Sequence, residues 1–273
     1  MEKYIRYINV GFIGAGNMGG ALAAAVGKVG YRVCLFDKDA EKLAAVSEKL
    51  GAKAMKSAND VIFHCTTVFI GVKPNMLEEL AKEIRPLLDE MGQSAPMLIS
   101  MAAGTSIARL EELFGKRSII RIMPNTPVSV GKGMTLWCPG ENVLPQQIEG
   151  FESIMSETGR VDRIDEKLID AASAVSGCGP AFVYMFAEAL ADGGVLCGLP
   201  RDKALTYAAQ TLSGAAEYLM ASGEHPGKLK DNVCSPGGTT IEGVRTLEAC
   251  GFRSAATEAV IAAYEKTLTL AKK

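Results

Sequence analysis

Histidine is scarce in this chain of 273 residues, which contains only His64 and His225. Two histidines so far apart supply neither the clustered ligands of a zinc site nor the base of a histidine-centred proton relay. The seven cysteines are scattered, odd in number and never spaced as Cys-x-x-Cys. We therefore predict that no metal is bound and that the thiols are reduced, as in a cytoplasmic protein.

The chain also lacks an excess of charge, since 29 Lys and Arg face 31 Asp and Glu for a net charge of −2. This balance gives no basic footprint for nucleic acid or an anionic membrane. The apolar stretch 10–26 contains a glycine motif and no cleavage pattern, so it predicts neither a signal peptide nor a membrane span. The expected partner is a small molecule.

A glycine-rich turn near the amino terminus predicts a dinucleotide site. A predicted strand over 8–13 is followed directly by Gly14, Ala15, Gly16, Asn17, Met18 and Gly19. The glycines permit a tight turn and the close approach of a pyrophosphate, whose charge the amino end of the next helix attracts. A second predicted strand over 32–36 supplies the βαβ context that the motif needs.

Asp37 ends that second strand, 18 residues after Gly19. An acidic residue near this spacing typically meets the adenosine ribose and repels a 2′-phosphate, which favours NADH. Two other interpretations stay open: Asp37 or Asp39 caps the next helix, and Lys38 contacts a 2′-phosphate. The predicted cofactor is therefore NADPH or NADH.

Predicted strands and helices alternate throughout residues 1–164, which indicates a Rossmann-like doubly wound parallel sheet with helices on both faces. Residues 165–273 show only helical patterns. We therefore predict an α/β fold, with a dinucleotide-binding domain over 1–164 and an all-α substrate and dimerisation domain over 165–273. Within the latter, one apolar stripe is formed by Leu205, Ala208, Leu212, Ala215 and Leu219.

Two segments at predicted strand ends are expected to contact the cofactor, because ligands bind at the carboxyl ends of parallel strands. They are Val72, Lys73 and Pro74, and Met101, Ala102 and Ala103. The small residues of the second let the backbone lie against a nicotinamide ring. Ordinary strand-to-helix turns are the alternative for both, and for a third segment over 123–127.

The segment 230–243 predicts a second binding site. A Ser-Pro turn, Gly237, Gly238 and the hydroxyls of Thr239 and Thr240 open a helix, where backbone N–H groups converge on an anion such as a small carboxylate. The alternative is a capped helix start without a ligand.

With these motifs the chain resembles the pyrroline-5-carboxylate reductases, which complete proline synthesis, along nearly its whole length. The resemblance is also carried by residues 121–127, 176–181, 198–201 and 225–240. Its most specific part is Ser-Pro-Gly-Gly-x-Thr. Cys178 and Cys234 depart from the small hydroxyl residues usual in the family, and both keep a small side chain.

The resemblance implies reduction of the cyclic C=N bond of 1-pyrroline-5-carboxylate to L-proline by NADPH or NADH. The implied substrate contacts are Glu166, Gly238, Thr239 and Thr240, and the implied further cofactor contacts are Asn59 and Asn232. It also implies a homodimer, in which the substrate lies between the nucleotide fold of one subunit and helices of the other. Five such dimers can form a decamer.

This chemistry asks little of side chains, because a protonated C=N bond is already an electrophile. Thr240 is the predicted catalytic residue: its hydroxyl either donates a proton to the nascent amine or orients the ring. Two other classes stay open. A β-hydroxyacid dehydrogenase or another imine reductase shares this domain arrangement, and a non-catalytic dinucleotide sensor would bind the cofactor but lack the anion pocket.

Overall fold

An eight-stranded sheet organises the first part of the chain in the computed structural model, which describes residues 9–271. The strands are β1 (Asn9–Ile13), β2 (Arg32–Phe36), β3 (Lys53–Ala54), β4 (Thr67–Ile70), β5 (Met97–Ser100), β6 (Ile119–Met123), β7 (Gly133–Pro139) and β8 (Gly159–Arg163). Their order across the sheet is β3-β2-β1-β4-β5-β6-β7-β8. The strand order reverses between β1 and β4, so a crevice opens at their carboxyl ends.

Helices cover both faces of this sheet. They are α1 (Asn17–Val29), α2 (Ala40–Leu50), α3 (Ala58–His64), α4 (Leu77–Met91), α5 (Ile107–Phe114) and α6 (Pro145–Ile154). Side chains start three of them, because Asp39, Ser57 and Ser106 each accept a hydrogen bond from the amide three residues further on. The predicted doubly wound α/β architecture is confirmed.

The central strands are buried on both sides, as expected of parallel strands between two helical layers. On the face toward α1 and α6, Phe12 of β1 and Phe69 of β4 stack with ring centroids 4.6 Å apart. On the opposite face, Ile13 and Ile70 pack under α3 and α4. Truncating Phe69 to Ala would cost about 3–5 kcal/mol, because no solvent reaches this layer.

One strand departs from the predicted parallel arrangement: β7 runs antiparallel to β6 and pairs Ile122 with Trp137. Only nine residues separate the two strands, and five of them form a short 3-10 helix over Thr126–Val130. Such a connection is too short for the helical crossover that a parallel neighbour needs. β8 is again parallel to β7.

Within the described residues, the chain beyond β8 is helical throughout, as predicted. The helices are α7 (Glu166–Ser176), α8 (Gly179–Leu196), α9 (Arg201–Ser222), α10 (Pro226–Val233), α11 (Thr239–Ala249) and α12 (Phe252–Ala271). The chain forms two compact units: one runs to Cys178 and takes in the chain from Ala263 onward, and the other is Gly179–Ala262. The first unit thus includes α7, whose Ile169 packs with Met123 and Leu136, whereas the predicted boundary lies before this helix.

The second unit buries little of its own apolar surface. Its buried cluster consists of Ala191, Ala204 and Ala208, where α8 and α9 meet. Large apolar side chains elsewhere on these helices are exposed, among them Tyr184, Met185, Leu205, Tyr207, Tyr218, Leu219 and Met220. The stretch Glu166–Leu196 is long and apolar enough to cross a membrane by length and composition, and only 11% of its most apolar window is buried.

Candidate active site

A cleft of about 220 Å³ opens at the carboxyl ends of β1, β2 and β4. Its lining includes Gly14, Gly16, Phe36, Asp37, Lys38, Lys42, Gly71, Val72, Lys73, Leu80 and Glu83. The cleft lies at the crevice where doubly wound sheets bind their ligands. It brings the predicted glycine turn, Asp37 and the segment after β4 together.

The glycine turn has the geometry of a phosphate cradle. Gly14 has φ +104°, and a Cβ there would lie 2.8 Å from the carbonyl carbon of Gly71, so only glycine fits between β1 and β4. Gly16 caps α1 without a side-chain bond, no acidic residue lies in the first turn, and the space above Gly16 is open. Free N–H groups at this helix end fit the pyrophosphate of a dinucleotide.

Asp37 is bound to the glycine turn and is not the helix cap. Its Oδ2 accepts a hydrogen bond from Ala15 N–H at 2.7 Å and lies 3.1 Å from Lys42 Nζ, and its Oδ1 accepts from Asp39 N–H at 3.0 Å. Burial alone would raise the pKa of Asp37, but these hydrogen bonds together lower it. Asp39 caps α2 through Lys42 N–H, so the capping alternative holds for Asp39 alone.

Lys38 reaches to α4. Its Nζ lies 2.6 Å from Glu79 Oε1, and this hydrogen bond raises the pKa of Lys38 and lowers that of Glu79. Both side chains are largely exposed. Neither this pair nor the pairing of Lys42 with Asp37 was predictable from the sequence, because contacts between separate elements leave no periodicity in the chain.

The predicted nicotinamide segment follows β5. Met101 N–H donates to Ile70 O at 3.3 Å, and its Sδ would lie 3.6 Å from a Cβ placed on Gly71, which lines the cleft. Ala102 is buried and Ala103 is exposed. Pro74 opens a short 3-10 helix after Lys73.

Asn59, by contrast, is not among the residues that line the cleft. It lies in the first turn of α3, with a buried Oδ1 that has no hydrogen-bond partner in the described chain.

Glu166 belongs to a charge cluster around the buried Arg121 that sequence reasoning missed. Its Oε1 accepts from Ile107 N–H at 2.6 Å and lies 3.4 Å from Arg121 Nη1, while Arg121 Nη2 donates to Asp170 Oδ1 at 2.5 Å. Glu166 is thus not simply a solvated charge. Two signals were available: Glu166 and Asp170 share a helix face at i, i+4, and Arg121 interrupts an apolar strand.

The predicted substrate turn lies in the second unit, between α10 and α11. Gly238 is the N-cap of α11 and forms no side-chain cap bond, and a Cβ on Gly238 would collide with Ser235 Oγ. Thr239 is exposed and Thr240 half-buried, and neither hydroxyl has a hydrogen-bond partner in the part of the chain that the structure describes. The helix start is therefore open to an anion. Asn232 is exposed on α10.

Both the amino-terminal and the carboxyl-terminal parts of the chain match known protein families. Residues 166–270 match the family model of pyrroline-5-carboxylate reductase dimerisation, and residues 9–104 match that of NADP oxidoreductase, coenzyme F420-dependent. Pyrroline-5-carboxylate reductase of Escherichia coli is 40% identical over the full length of both chains, and that of Pisum sativum is 38% identical over 96% of this chain and 95% of its own.

The solved structures agree with this. Pyrroline carboxylate reductase of Plasmodium falciparum, with NADP bound, superposes with a TM-score of 0.87 at 34% identity, covering 97% of this chain and 99% of that one. The sheet, the cleft and the helical second part define an NAD(P)-dependent oxidoreductase. Within that class, the chain belongs to the pyrroline-5-carboxylate reductase family. The predicted family, fold class and nicotinamide cofactor are confirmed.

Proposed function

We propose that this chain reduces the C=N bond of 1-pyrroline-5-carboxylate to give L-proline, the last step of proline biosynthesis, with NADPH or NADH. The observation that carries the proposal is the open amino end of α11, uncapped at Gly238 and flanked by two threonine hydroxyls without partners, in a chain that also has a dinucleotide cleft. A mere cofactor sensor has no use for this second anion site.

The cofactor, when bound, supplies the hydride. The glycine turn from Gly14 to Gly19 holds its pyrophosphate, Asp37 faces the adenosine ribose, and the strand-end segments hold the remainder. Asn59 and Asn232 are the further proposed cofactor contacts. For Asn59, the buried Oδ1 without a partner supports the assignment, because a ligand donor would satisfy it.

The substrate is bound through its carboxylate by the N–H groups of α11, with Gly238 and Thr239 against it. Thr240 places its hydroxyl near the ring nitrogen, where it donates a proton to the nascent amine or orients the ring. Glu166 also contacts the substrate in this proposal. Its Oε1 is already engaged by Ile107 and Arg121, whereas its Oε2 has no partner in the described chain.

The second unit serves for assembly as a homodimer, and five such dimers associate into a decamer. The exposed apolar side chains of α8 and α9 support this, because a helix as apolar as α8 needs a partner surface. The match of residues 166–270 to the dimerisation family model supports a protein partner for the apolar stretch Glu166–Leu196. We place the enzyme in the cytoplasm.

The test is an assay of NADH and NADPH oxidation with pyrroline-5-carboxylate beside its six-membered homologue. We expect faster oxidation with the five-membered ring and stoichiometric release of proline. Tight cofactor binding without turnover of any cyclic imino acid would reject the proposal in favour of a sensor. Turnover of 3-hydroxy acids alone would point to a dehydrogenase.

A further inference from the structure

Both lysines at the adenosine end of the cleft are already engaged by carboxylates. Lys42 Nζ lies 3.1 Å from Asp37 Oδ2, and Lys38 Nζ lies 2.6 Å from Glu79 Oε1. Lys38, Lys42 and Asp37 line the cleft. The 2′-phosphate that distinguishes NADPH from NADH adds about two negative charges, so it requires cations that these pairs withhold.

Glu79 approaches this end from the opposite side of the cleft. Lys38 follows β2, whereas Glu79 lies in the first turn of α4. Glu83 lies one turn later on the same face of α4 and lines the cleft. Its negative charge, like that of Glu79, raises the pKa of Lys38. A phosphate at this place therefore meets Asp37 on one side and two glutamates on the other.

We propose that Glu79 is a specificity-determining residue that holds Lys38 away from a 2′-phosphate, so that the reductase prefers NADH. NADH binds without disturbing the pair. NADPH must separate Lys38 from Glu79 and then lies near the released carboxylate. The inference rests on the proposed cofactor cleft. It makes Glu79 of α4 a second residue, besides Asp37, that disfavours NADPH.

Solvent exposure of the pair limits how strongly Glu79 can change the affinity for NADPH. The side chains of Lys38 and Glu79 are 48% and 69% exposed, and solvent screens such pairs strongly. We expect Glu79→Gln to lower the Kd of NADPH by about twofold to fivefold at low salt and to leave that of NADH unchanged. The gain should shrink at high salt, because screened charges discriminate less.

The experiment titrates the purified full-length protein with NADH and with NADPH, following nicotinamide fluorescence at about 20 mM and about 500 mM salt. The matched control is Glu78→Gln, the preceding residue in the same helical turn. Glu78 lies 2.6 Å from Arg109 Nη2 and not near Lys38. An equal gain in both variants would reflect net charge alone and would overturn the proposal.

A double-mutant cycle with Lys38→Met tests the competition itself. If Glu79 acts by holding Lys38, Glu79→Gln brings a smaller gain in NADPH affinity in the Lys38→Met background than in the unmodified protein, because only the direct repulsion by the carboxylate is then removed. A gain in NADPH affinity of the same size in the Lys38→Met background would overturn the proposed competition between Glu79 and the 2′-phosphate for Lys38. If the proposed cofactor cleft is wrong, neither nucleotide will bind the unmodified protein. If both nucleotides bind but Glu79→Gln leaves the ratio of their Kd values unchanged, only the role of Glu79 is rejected.

Discussion

Arg121 of β6 and Asp170 of α7 form an ion pair at 2.5 Å, in which the Arg121 side chain is 3% exposed and that of Asp170 is 20% exposed. The same guanidinium faces Glu166, whose carboxylate binds the first amide of α5. α5 follows directly on the segment proposed to contact the nicotinamide. The cluster therefore ties the first helix of the carboxyl-terminal part to the loop that carries the proposed cofactor contacts.

Replacing Asp170 by Asn should destabilise the protein by about 3 kcal/mol, because it leaves a buried guanidinium without its nearest countercharge. Urea unfolding at fixed protein concentration measures the loss. Asp165→Asn is the control: Asp165 is 72% exposed beside Lys167, and its change should stay within about 0.5 kcal/mol. Equal, small changes in both variants would contradict a structural role for the buried pair.

Replacing Asp37 by Ser should shift the cofactor preference. Because charge repulsion toward the 2′-phosphate is removed and Lys42 is released, kcat/KM for NADPH relative to NADH should rise by about tenfold or more, or about 1.4 kcal/mol. Steady-state kinetics with both cofactors measure the ratio. Asp39→Ser is the matched control, since serine keeps the cap of α2. An unchanged ratio in Asp37→Ser would leave Asp37 a role in holding the glycine turn only.

The elements predictable from sequence are those with a strong local pattern. The glycine turn, α4 and α5 follow from glycine spacing and helical periodicity. β3 has two residues, too few to show alternation, and the polar helix α10 lacks an apolar stripe, so neither was predicted. The direction of β7 depends on the length of its connection to β6.

The candidate site likewise has features that a local sequence pattern predicts and features that depend on tertiary contacts. Asp37 was found because the spacing from a glycine motif is a property of the chain. Its bond to Ala15 and the pairing of Lys38 with Glu79 depend on how β1, β2 and α4 approach one another. Such contacts span 22 and 41 residues, and no local pattern records them.

The active protein should be a dimer or a larger assembly of its 28.9 kDa chain by light scattering. Met185 of α8 is 70% exposed, so Met185→Glu should lower the mass by placing a charge in the interface. Phe63→Glu, at a 65% exposed position of α3, should leave the mass unchanged. A mass of one chain at every concentration, in a protein that turns over substrate, would contradict the assembly.

The sharpest mechanistic prediction concerns the hydroxyl of Thr240. The N-cap of α11 is Gly238, so Thr240 is not needed to cap the helix. Thr240→Val, nearly equal in shape, should lower kcat/KM for pyrroline-5-carboxylate by about 10- to 1000-fold, the range for losing a positioned proton donor or a transition-state hydrogen bond. Thr240→Ser should retain much of the activity.

The control for Thr240 lies on the same helix. Thr246 donates its hydroxyl to Glu242 O, so Thr246→Val should leave kcat/KM within about twofold, as for other exposed positions. Cofactor Kd values should barely change in any of these variants, because the proposed cofactor contacts lie mainly in the glycine turn and the strand ends of the first unit. If Thr240→Val kept full turnover, or weakened cofactor and substrate equally, the hydroxyl would have no part in the reaction. The proton would then have to come from water or from the iminium form of the substrate itself.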